Sequence, residues 1–235
     1  MGMFIVNLFS FSPIGTLSLL KFRLTLGPSA DISIFFDKGF FMMVTNSIIR
    51  CHWTGDDPLM MKYHDEEWGV PVHDDRKWFE YLVLDAFQAG LSWKIVLHKR
   101  EALRQVFHGF DPAGAAGMSD AEIESAIQDQ RIIRNRLKIR AAVENARAFL
   151  KLQQEHSTFD AFIWTFTKGK TIHNRFKRPD QLPAKTSLSD AVSKTLKGAG
   201  FRFVGSTICY AFLQAGGIVN DHLMSCFRYP ELRER

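Results

Sequence analysis

The chain has 235 residues, of which 46% are hydrophobic and 23% are charged, and its formal net charge is +5. A chain of this length buries a sufficient core without disulfides, and its three cysteines, an odd number, argue against a secreted disulfide scaffold and for a reducing compartment such as the cytoplasm. The positive charge permits a polyanionic partner without requiring one.

Residues 1–46 differ in composition from the rest of the chain. They are rich in phenylalanine, carry few charges and show no amphipathic period. No basic residue precedes the apolar stretch, and Pro13, Lys21 and Arg23 interrupt it, so we expect neither a signal peptide nor a membrane-spanning segment. We predict a non-native or disordered N-terminal extension, a natural start at Met42 or Met43, and one domain over residues 47–235.

Helix signals dominate the chain after Asp74, and strand alternation is scarce. The predicted N-terminal caps are Asp75, Ser92, Asn135 and the capping box formed by Ser119 and Glu122. One helix is predicted to end at Ala89-Gly90, and the next is predicted to run from Ser92 through Phe107. Others are predicted over 159–166, 188–197 and 207–214, with a surface connection over 168–186. The pattern predicts an all-α fold without internal repeats.

A basic segment with no acid occupies residues 130–140. Its cations are Arg131, Arg134, Arg136, Lys138 and Arg140. A turn between two helices at this point would direct backbone amides and cationic side chains outward, a geometry suited to a phosphate group. The segment resembles a helix-hairpin-helix, although Arg131 and Leu137 stand where glycine would allow the closest backbone approach. The alternative is a solvated basic face of an amphipathic helix.

Two cysteines and two histidines have the spacing of metal ligands. Twelve residues separate Cys51 from His64, and His222 lies four positions before Cys226, one helical turn away. Thiolate and imidazole are the ligands that tetrahedral zinc prefers, and four protein ligands indicate a structural rather than a catalytic ion. The spacing predicts a structural Zn²⁺ clasp that joins the start of the domain to its end, unless ordinary buried side chains share the spacing by chance.

Four longer motifs follow in order along the chain. Residues 63–71 read Tyr-His-Asp-Glu-Glu-Trp-Gly-Val-Pro, residues 88–93 read Gln-Ala-Gly-Leu-Ser-Trp, residues 200–210 read Gly-Phe-Arg-Phe-Val-Gly-Ser-Thr-Ile-Cys-Tyr, and residues 219–226 read Val-Asn-Asp-His-Leu-Met-Ser-Cys. Together they resemble the 3-methyladenine DNA glycosylase I family of helix-hairpin-helix repair enzymes. The resemblance begins at residue 51 and extends nearly to the end of the chain.

The resemblance implies a base-excision repair enzyme that hydrolyses the N-glycosidic bond of 3-methyladenine in double-stranded DNA. It implies that Cys51, His64, His222 and Cys226 bind structural zinc, in agreement with their spacing. It also implies that Tyr63, Trp93 and Asp85 bind the extruded base. We predict that Asp85, at a position where glutamate is usual, is the catalytic carboxylate, which either stabilises the bound cation or orients water. We add Trp53 as a further substrate-binding ring and expect Trp68 to belong to the core.

The chemistry of this set is coherent for a cationic base. Aromatic faces attract a positively charged methylated purine by about 0.5–2 kcal/mol, and a carboxylate accepts hydrogen bonds from its amino edge. The matched motifs contain no lysine that could be the nucleophile for Schiff-base chemistry, so we predict a monofunctional hydrolase.

Arg131, Arg134, Arg136 and Lys138 are the predicted DNA contacts. We expect a monomer that associates with the nucleoid when bound to DNA and has no membrane partner. The alternatives are a non-catalytic, zinc-stapled DNA-damage binding module and a helical interaction domain without a nucleic-acid role. Acceptance of 3-methylguanine and the residue that wedges the duplex stay open.

Overall fold

The computed structural model describes residues 20–25, 30–37 and 40–234, and the side chains of residues 48–234. It divides into two units, residues 1–50 and 51–235. The described part of the first unit is an antiparallel sheet of β1 (Leu20–Thr25), β2 (Ala30–Asp37) and β3 (Phe40–Ser47), in that order. In its register, Leu20 lies opposite Phe36, and Asp37 lies opposite Phe40.

These three strands were not among the elements predicted from the sequence, which favoured foreign sequence or disorder here. They contain many phenylalanine, isoleucine, valine and threonine residues, which favour extended backbone, but their apolar positions do not alternate cleanly. The prediction that residues 1–46 are not native to the protein stays a prediction, and residues 1–19, 26–29 and 38–39 of this segment lie outside the described residues.

The described residues of the second unit form eleven α-helices. They are α1 (Pro58–Glu66), α2 (Asp75–Gln88), α3 (Trp93–His98), α4 (Arg100–Val106), α5 (Pro112–Ala116), α6 (Asp120–Gln128), α7 (Arg136–His156), α8 (Phe159–Trp164), α9 (Ser187–Gly198), α10 (Ser206–Ala215) and α11 (Arg228–Arg233). Two short strands, β4 (Ile172–His173) and β5 (Val219–Asn220), pair in parallel. The prediction of a mainly helical body is confirmed, but the fold is not strictly all-α because of this ladder.

Two of the four predicted helix caps are confirmed. Asn135 caps α7, and Ser119 and Glu122 form the capping box of α6. Asp74, rather than the predicted Asp75, caps α2, because the Asp75 carboxylate instead accepts hydrogen bonds from the backbone amides at the start of α8. Ser92 precedes α3 without a side-chain cap bond.

One predicted helix is divided in two. The stretch after Ser92 was expected to continue to Phe107, but the backbone leaves the helical conformation at Lys99, between α3 and α4. The Lys99 ammonium there donates to the carbonyl oxygens of Gln130 and Arg131, at 3.3 and 2.8 Å. A contact remote in sequence accompanies the break, which apolar periodicity does not reveal.

Helix α2 lies in the centre of the core and carries one of the acids of interest, Asp85. Ten of its fourteen residues are buried, including Trp78, which packs against Phe212 of α10 at 5.2 Å between ring centroids. Burial on all sides fixes the rotation of α2 about its axis. The position of Asp85 is therefore set by core packing.

The end of α10 is pressed against residues 69–72. The amide of Gly69 donates to the carbonyl of Gln214 at 3.0 Å, and the amide of Val72 donates to the carbonyl of Gly216 at 3.1 Å. Gly217 has φ +71°, and a Cβ there would lie 2.4 Å from the Pro71 nitrogen. Only glycine allows this contact, which joins the segment after α1 to the end of α10.

Candidate functional site

Cys51, His64, His222 and Cys226 come together in one buried cluster. Their potential ligand atoms all lie within 4.8 Å of one another. The Sγ atom of Cys226 lies 3.4 Å from Nε2 of His64 and 3.5 Å from Nδ1 of His222, and Sγ of Cys51 lies 3.7 Å from the same Nδ1 atom. Tetrahedral zinc with ordinary bond lengths would place sulfur and nitrogen about 3.5 Å apart. The residues present therefore fit such an ion.

The second nitrogen of each imidazole has its own partner. Nδ1 of His64 lies 2.8 Å from Oδ1 of Asp65, and Nε2 of His222 donates to the backbone carbonyl of Trp68 at 3.0 Å. Such outer contacts fix the tautomer and ring orientation that metal ligation requires. The bond from His222 to the Trp68 carbonyl thereby connects the cluster to the backbone of the residue 63–71 motif.

The two thiols of the cluster are not equivalent. The neighbouring Cys51 lowers the pKa of Cys226, which the two imidazoles lower further, whereas Cys226 raises the pKa of Cys51, which burial raises further. A thiolate is the metal-binding form of cysteine. The site therefore already favours one thiolate before any cation neutralises its charge.

A cavity of about 530 Å³ lies beside the cluster. Its aromatic lining includes Tyr63, Trp93 and Trp53; the Tyr63 ring centroid lies 5.0 Å from that of Trp93 and 6.3 Å from that of Trp53. Asp85 lines the same space. The structure thus brings together all four residues predicted for catalysis and substrate binding, in a volume suited to a small planar ligand.

Asp85 is a buried acid with an unsatisfied oxygen. Its side chain is 2% exposed, and Oδ2 has no hydrogen-bond partner among the described residues. Burial raises the pKa of Asp85 well above its usual range. A positive charge brought within a few ångströms would favour its ionised form, so the cavity is suited to a cationic ligand.

The aromatic lining of the cavity also contacts the buried cysteine and histidine cluster. The Trp53 ring lies 5.4 Å from the His64 ring and 5.1 Å from the Trp68 ring, centroid to centroid. Trp68 is buried, as expected of a core residue, yet it also lines the cavity. Tyr63 directly precedes His64, and Trp53 packs against the His64 ring. The cluster therefore helps to position two of the three predicted substrate-binding rings.

Sequence reasoning missed Lys94, which lies at the rim of the cavity. Its ammonium lies 2.9 Å from Oδ2 of Asp57, and Nε2 of His98 lies 2.8 Å from the same oxygen. These two contacts, led by that of Lys94, hold the pKa of Asp57 well below its usual range. Its position directly after Trp93 could have indicated that it lies near the cavity. Because its ammonium is protonated and ion-paired, it has no lone pair for nucleophilic attack.

Gln214 is a second cavity residue that the sequence did not single out. It lies on α10, and its amide nitrogen donates to Oδ2 of Asp221 at 2.8 Å. It belongs to the predicted helix over 207–214, where nothing in the residue pattern distinguishes it from a helix-surface glutamine.

An ion-pair network ties together the helices around the cavity. Arg100 at the start of α4 donates to both oxygens of Glu67, each at 2.7 Å, and to Oε1 of Glu80 on α2 at 2.9 Å. Burial opposes ionisation of Glu67, but the hydrogen bonds from Arg100 and Lys77 outweigh it and lower the pKa of Glu67 to about 2. The network fixes α1, α2 and α4, and with them the cavity lining.

The basic segment spans the connection between α6 and α7 and the start of α7, and most of its exposed cations are already paired. Arg131 forms an ion pair with Asp129, while Arg136 and Arg140 both contact Oε1 of Glu124, at 2.7 and 2.8 Å. Arg134 is exposed and makes no hydrogen bond or ion pair with any described residue. Of the predicted DNA contacts on this surface, Arg134 alone has no intramolecular partner among the described residues.

Lys138, the fourth predicted DNA contact, points into the protein. It is 6% exposed, and its ammonium donates to the carbonyl oxygens of Phe87 and Ala89, at 2.8 and 2.6 Å. These carbonyls lie at the end of α2, where unpaired acceptors and the helix dipole favour a cation. Lys138 therefore completes a helix terminus and does not reach the surface of the turn.

Across the described residues, no helix combines the length and apolar character needed to cross a membrane.

Comparisons with known proteins agree with this geometry. Residues 53–229 match the family model for methyladenine glycosylases. The chain is 49% identical over 181 residues to DNA-3-methyladenine glycosylase 1 of Escherichia coli K12, covering 77% of this chain and 97% of that protein.

Solved structures of 3-methyladenine DNA glycosylase I share the fold. One covers 77% of this chain and 100% of its own, with a TM-score of 0.76 and 48% identity. Another, from Staphylococcus aureus, was determined to explain 3-methyladenine recognition; it covers 77% of this chain and 96% of its own, with a TM-score of 0.75 and 32% identity. The motifs, the aromatic cavity with its buried acid and these similarities lead to one conclusion: the chain belongs to the methyladenine glycosylase family.

Proposed function

We propose that the protein hydrolyses the N-glycosidic bond between 3-methyladenine and deoxyribose in alkylated double-stranded DNA and leaves an abasic site without cutting the strand. The observation that carries this proposal is the unpaired, buried carboxyl of Asp85 in an aromatic cavity. Leaving a buried polar atom unpaired costs about 1–3 kcal/mol, which a ligand that pairs with it would recover.

Tyr63, Trp93 and Trp53 bind the damaged base in this proposal. A base inside a duplex is out of reach, so the nucleotide is extruded into the cavity, and stacking on aromatic rings offsets part of the lost base stacking. Methylation at N3 gives the base a positive charge, which adds an attraction to the ring faces that unmodified adenine lacks.

Asp85 acts on the same positive charge. Its buried carboxyl is preferentially neutral in the free protein, and the cationic base favours its ionisation. The carboxylate then pairs with the cation and is available to orient the attacking water. Since methylation already makes the base a good leaving group, no strong general acid is required.

A structural Zn²⁺ held by Cys51, His64, His222 and Cys226 fits the same proposal. When bound, such an ion supplies four strong bonds across the domain and takes no part in the reaction. Its effect on the site passes through His64, which is adjacent to Tyr63 and lies against the Trp53 ring.

The turn between α6 and α7 is proposed as a helix-hairpin-helix surface for the DNA backbone. Arg134 is free to contact a phosphate, and Arg131 and Arg136 contribute after exchanging their acidic partners for phosphate. Lys138 is left out of this set because it is buried. We propose a cytoplasmic monomer that associates with the nucleoid when bound to DNA.

A base-release assay on methylated duplex DNA tests the proposed activity. The protein is expected to release 3-methyladenine, and Asp85→Ala is expected to bind the same DNA with strongly reduced release. Binding without release by the parent protein would favour the alternative, a non-catalytic DNA-damage binding module. Borohydride treatment during the reaction is expected to trap no covalent complex; a trapped complex lost in Lys94→Met would contradict the monofunctional reaction.

A further inference from the structure

We infer that Gln214 selects the purine that the cavity accepts, by presenting its side-chain carbonyl oxygen to the 6-amino group of an adenine-type base. The inference rests on the proposed function and adds a specificity-determining residue to it. Its basis is the orientation of one amide, which neighbouring groups fix before any ligand enters.

Asp221 fixes that orientation. It is 1% exposed, and Nε2 of Gln214 donates to its Oδ2 at 2.8 Å. The same oxygen accepts from the hydroxyl of Tyr210 at 2.5 Å, and Oδ1 accepts from the amide nitrogen of Asn174 at 2.6 Å. A carboxylate surrounded by donors only accepts hydrogen bonds. The nitrogen of the Gln214 amide must therefore face Asp221.

The oxygen of the same amide is left without a partner. No described residue donates to Oε1 of Gln214, and Gln214 lines the aromatic cavity. The backbone of Gln214 is also fixed, because its carbonyl accepts from the amides of Gly69 at 3.0 Å and Gly217 at 3.3 Å. Because both the backbone and the amide nitrogen of Gln214 are hydrogen-bonded, its side-chain oxygen needs little reorganisation when a ligand enters.

A fixed acceptor distinguishes adenine-type from guanine-type bases. Adenine carries an amino group at C6, which donates a hydrogen bond to a carbonyl oxygen, whereas guanine carries an oxygen at C6. With guanine, two acceptors would face each other and both would lose their contact with water. Sites built around a buried hydrogen bond discriminate strongly against ligands that lack the matching group.

The test compares release of 3-methyladenine and 3-methylguanine from one methylated duplex DNA by the full-length protein. Gln214→Met keeps the length of the side chain and removes the acceptor. We expect about a tenfold fall in kcat/KM for 3-methyladenine with no fall for 3-methylguanine, so that the ratio of the two decreases about tenfold. Asp221→Asn, which lets the Gln214 amide turn around, is expected to lower the same ratio.

Gln153→Met is the matched control. The Gln153 amide also donates to a carboxylate, Asp75 Oδ2 at 2.6 Å, but Gln153 does not line the cavity. Gln153→Met is expected to leave the ratio of kcat/KM for 3-methyladenine to that for 3-methylguanine unchanged. A folded Gln214→Met protein with the parental ratio, or with equal losses for both bases, would overturn the inference. Release of neither base by the parent would instead refute the proposed function.

Discussion

Asp85 is a buried acid that costs stability, and its proposed role is to bind the ligand. Its carboxyl lies on the buried helix α2, and one oxygen has no partner. Packing alone would favour an apolar side chain at this position. The acid is therefore best explained by what enters the cavity, in line with the general tendency of active sites to contain destabilising groups.

Asp85→Asn should stabilise the fold at neutral pH. Because burial raises the pKa of Asp85, the unfolded chain releases this proton at lower pH than the folded chain, so stability decreases as pH rises above about 4. We expect the variant to gain about 1 kcal/mol at pH 7 and much less at pH 4, as thermal unfolding at the two pH values would show. An equal gain at both would contradict the raised pKa.

The parental base-release rate has its own pH dependence. If the carboxylate is the active form, release should increase as pH rises through the raised pKa of Asp85, because the charged form becomes populated there. Asp85→Asn should lose this rise. A parental profile that falls over the same range would indicate that the neutral acid is the active form.

Individual residues differed in how well the sequence revealed them. Tyr63, Trp93 and Asp85 were predicted because they stand in or next to long motifs, and the structure places all three in the lining of one cavity. Gln214 was not predicted, because the feature that sets it apart is its hydrogen bond to Asp221, which lies seven positions later, beyond the end of α10. A contact of this kind leaves no spacing pattern in the chain.

At the scale of elements, the basic segment of residues 130–140, which spans the connection between α6 and α7 and the start of α7, is less positive than its composition indicates. Glu124 and Asp129 pair with three of its arginines, and Lys138 is buried at the end of α2. Capping residues such as Asn135 act within one turn and were found from the sequence. The burial of Lys138 depends on α2, about fifty residues earlier, and was not found.

Arg134→Ala should weaken DNA binding through one lost phosphate contact. We expect the slope of log K against log salt concentration to decrease in magnitude by about 0.9. Lys138→Met should leave this slope unchanged but lower the melting temperature, because two carbonyls at the end of α2 lose their donor. Fluorescence anisotropy with a duplex over a salt series measures the slopes. A parental slope for Arg134→Ala would remove it from the interface.

The close contact at the end of α10 should tolerate no side chain. Gly217→Ala combines a positive φ with a Cβ 2.4 Å from the Pro71 nitrogen, so we expect a loss of about 2 kcal/mol or more in the free energy of unfolding. Gly198→Ala is the control, since a Cβ there meets nothing within 4 Å. Denaturant unfolding would compare them, and equal stabilities would show that the contact yields easily.

At the scale of the whole helical unit, the proposed zinc site connects segments that are far apart in the chain. Cys51 and His222 are separated by 171 positions, yet their ligand atoms lie 3.7 Å apart. The sequence predicted this cluster because the chemistry of cysteine and histidine restricts what such residues do together. It did not predict the split after α3, which depends on tertiary contacts of Lys99.

Purified protein should contain one zinc ion per chain. Removing it with a chelator, or replacing Cys226 with serine, should lower the melting temperature by about 6–12 °C, the equivalent of about 3 kcal/mol for a domain of this size. Cys209→Ala is the control, because Cys209 donates to the carbonyl of Val204 away from the cluster. Elemental analysis would measure the metal. Full zinc content in Cys226→Ser would contradict the assignment.

The position of Cys226 has a consequence for partially made or clipped protein. Among the described residues, every one that lines the cavity precedes position 215. An incomplete translation product or a proteolytic fragment that ends shortly after that point would keep all of them but lack two of the four proposed zinc ligands, His222 and Cys226. Such a fragment should therefore be inactive although it keeps the cavity residues, because it cannot hold the proposed ion.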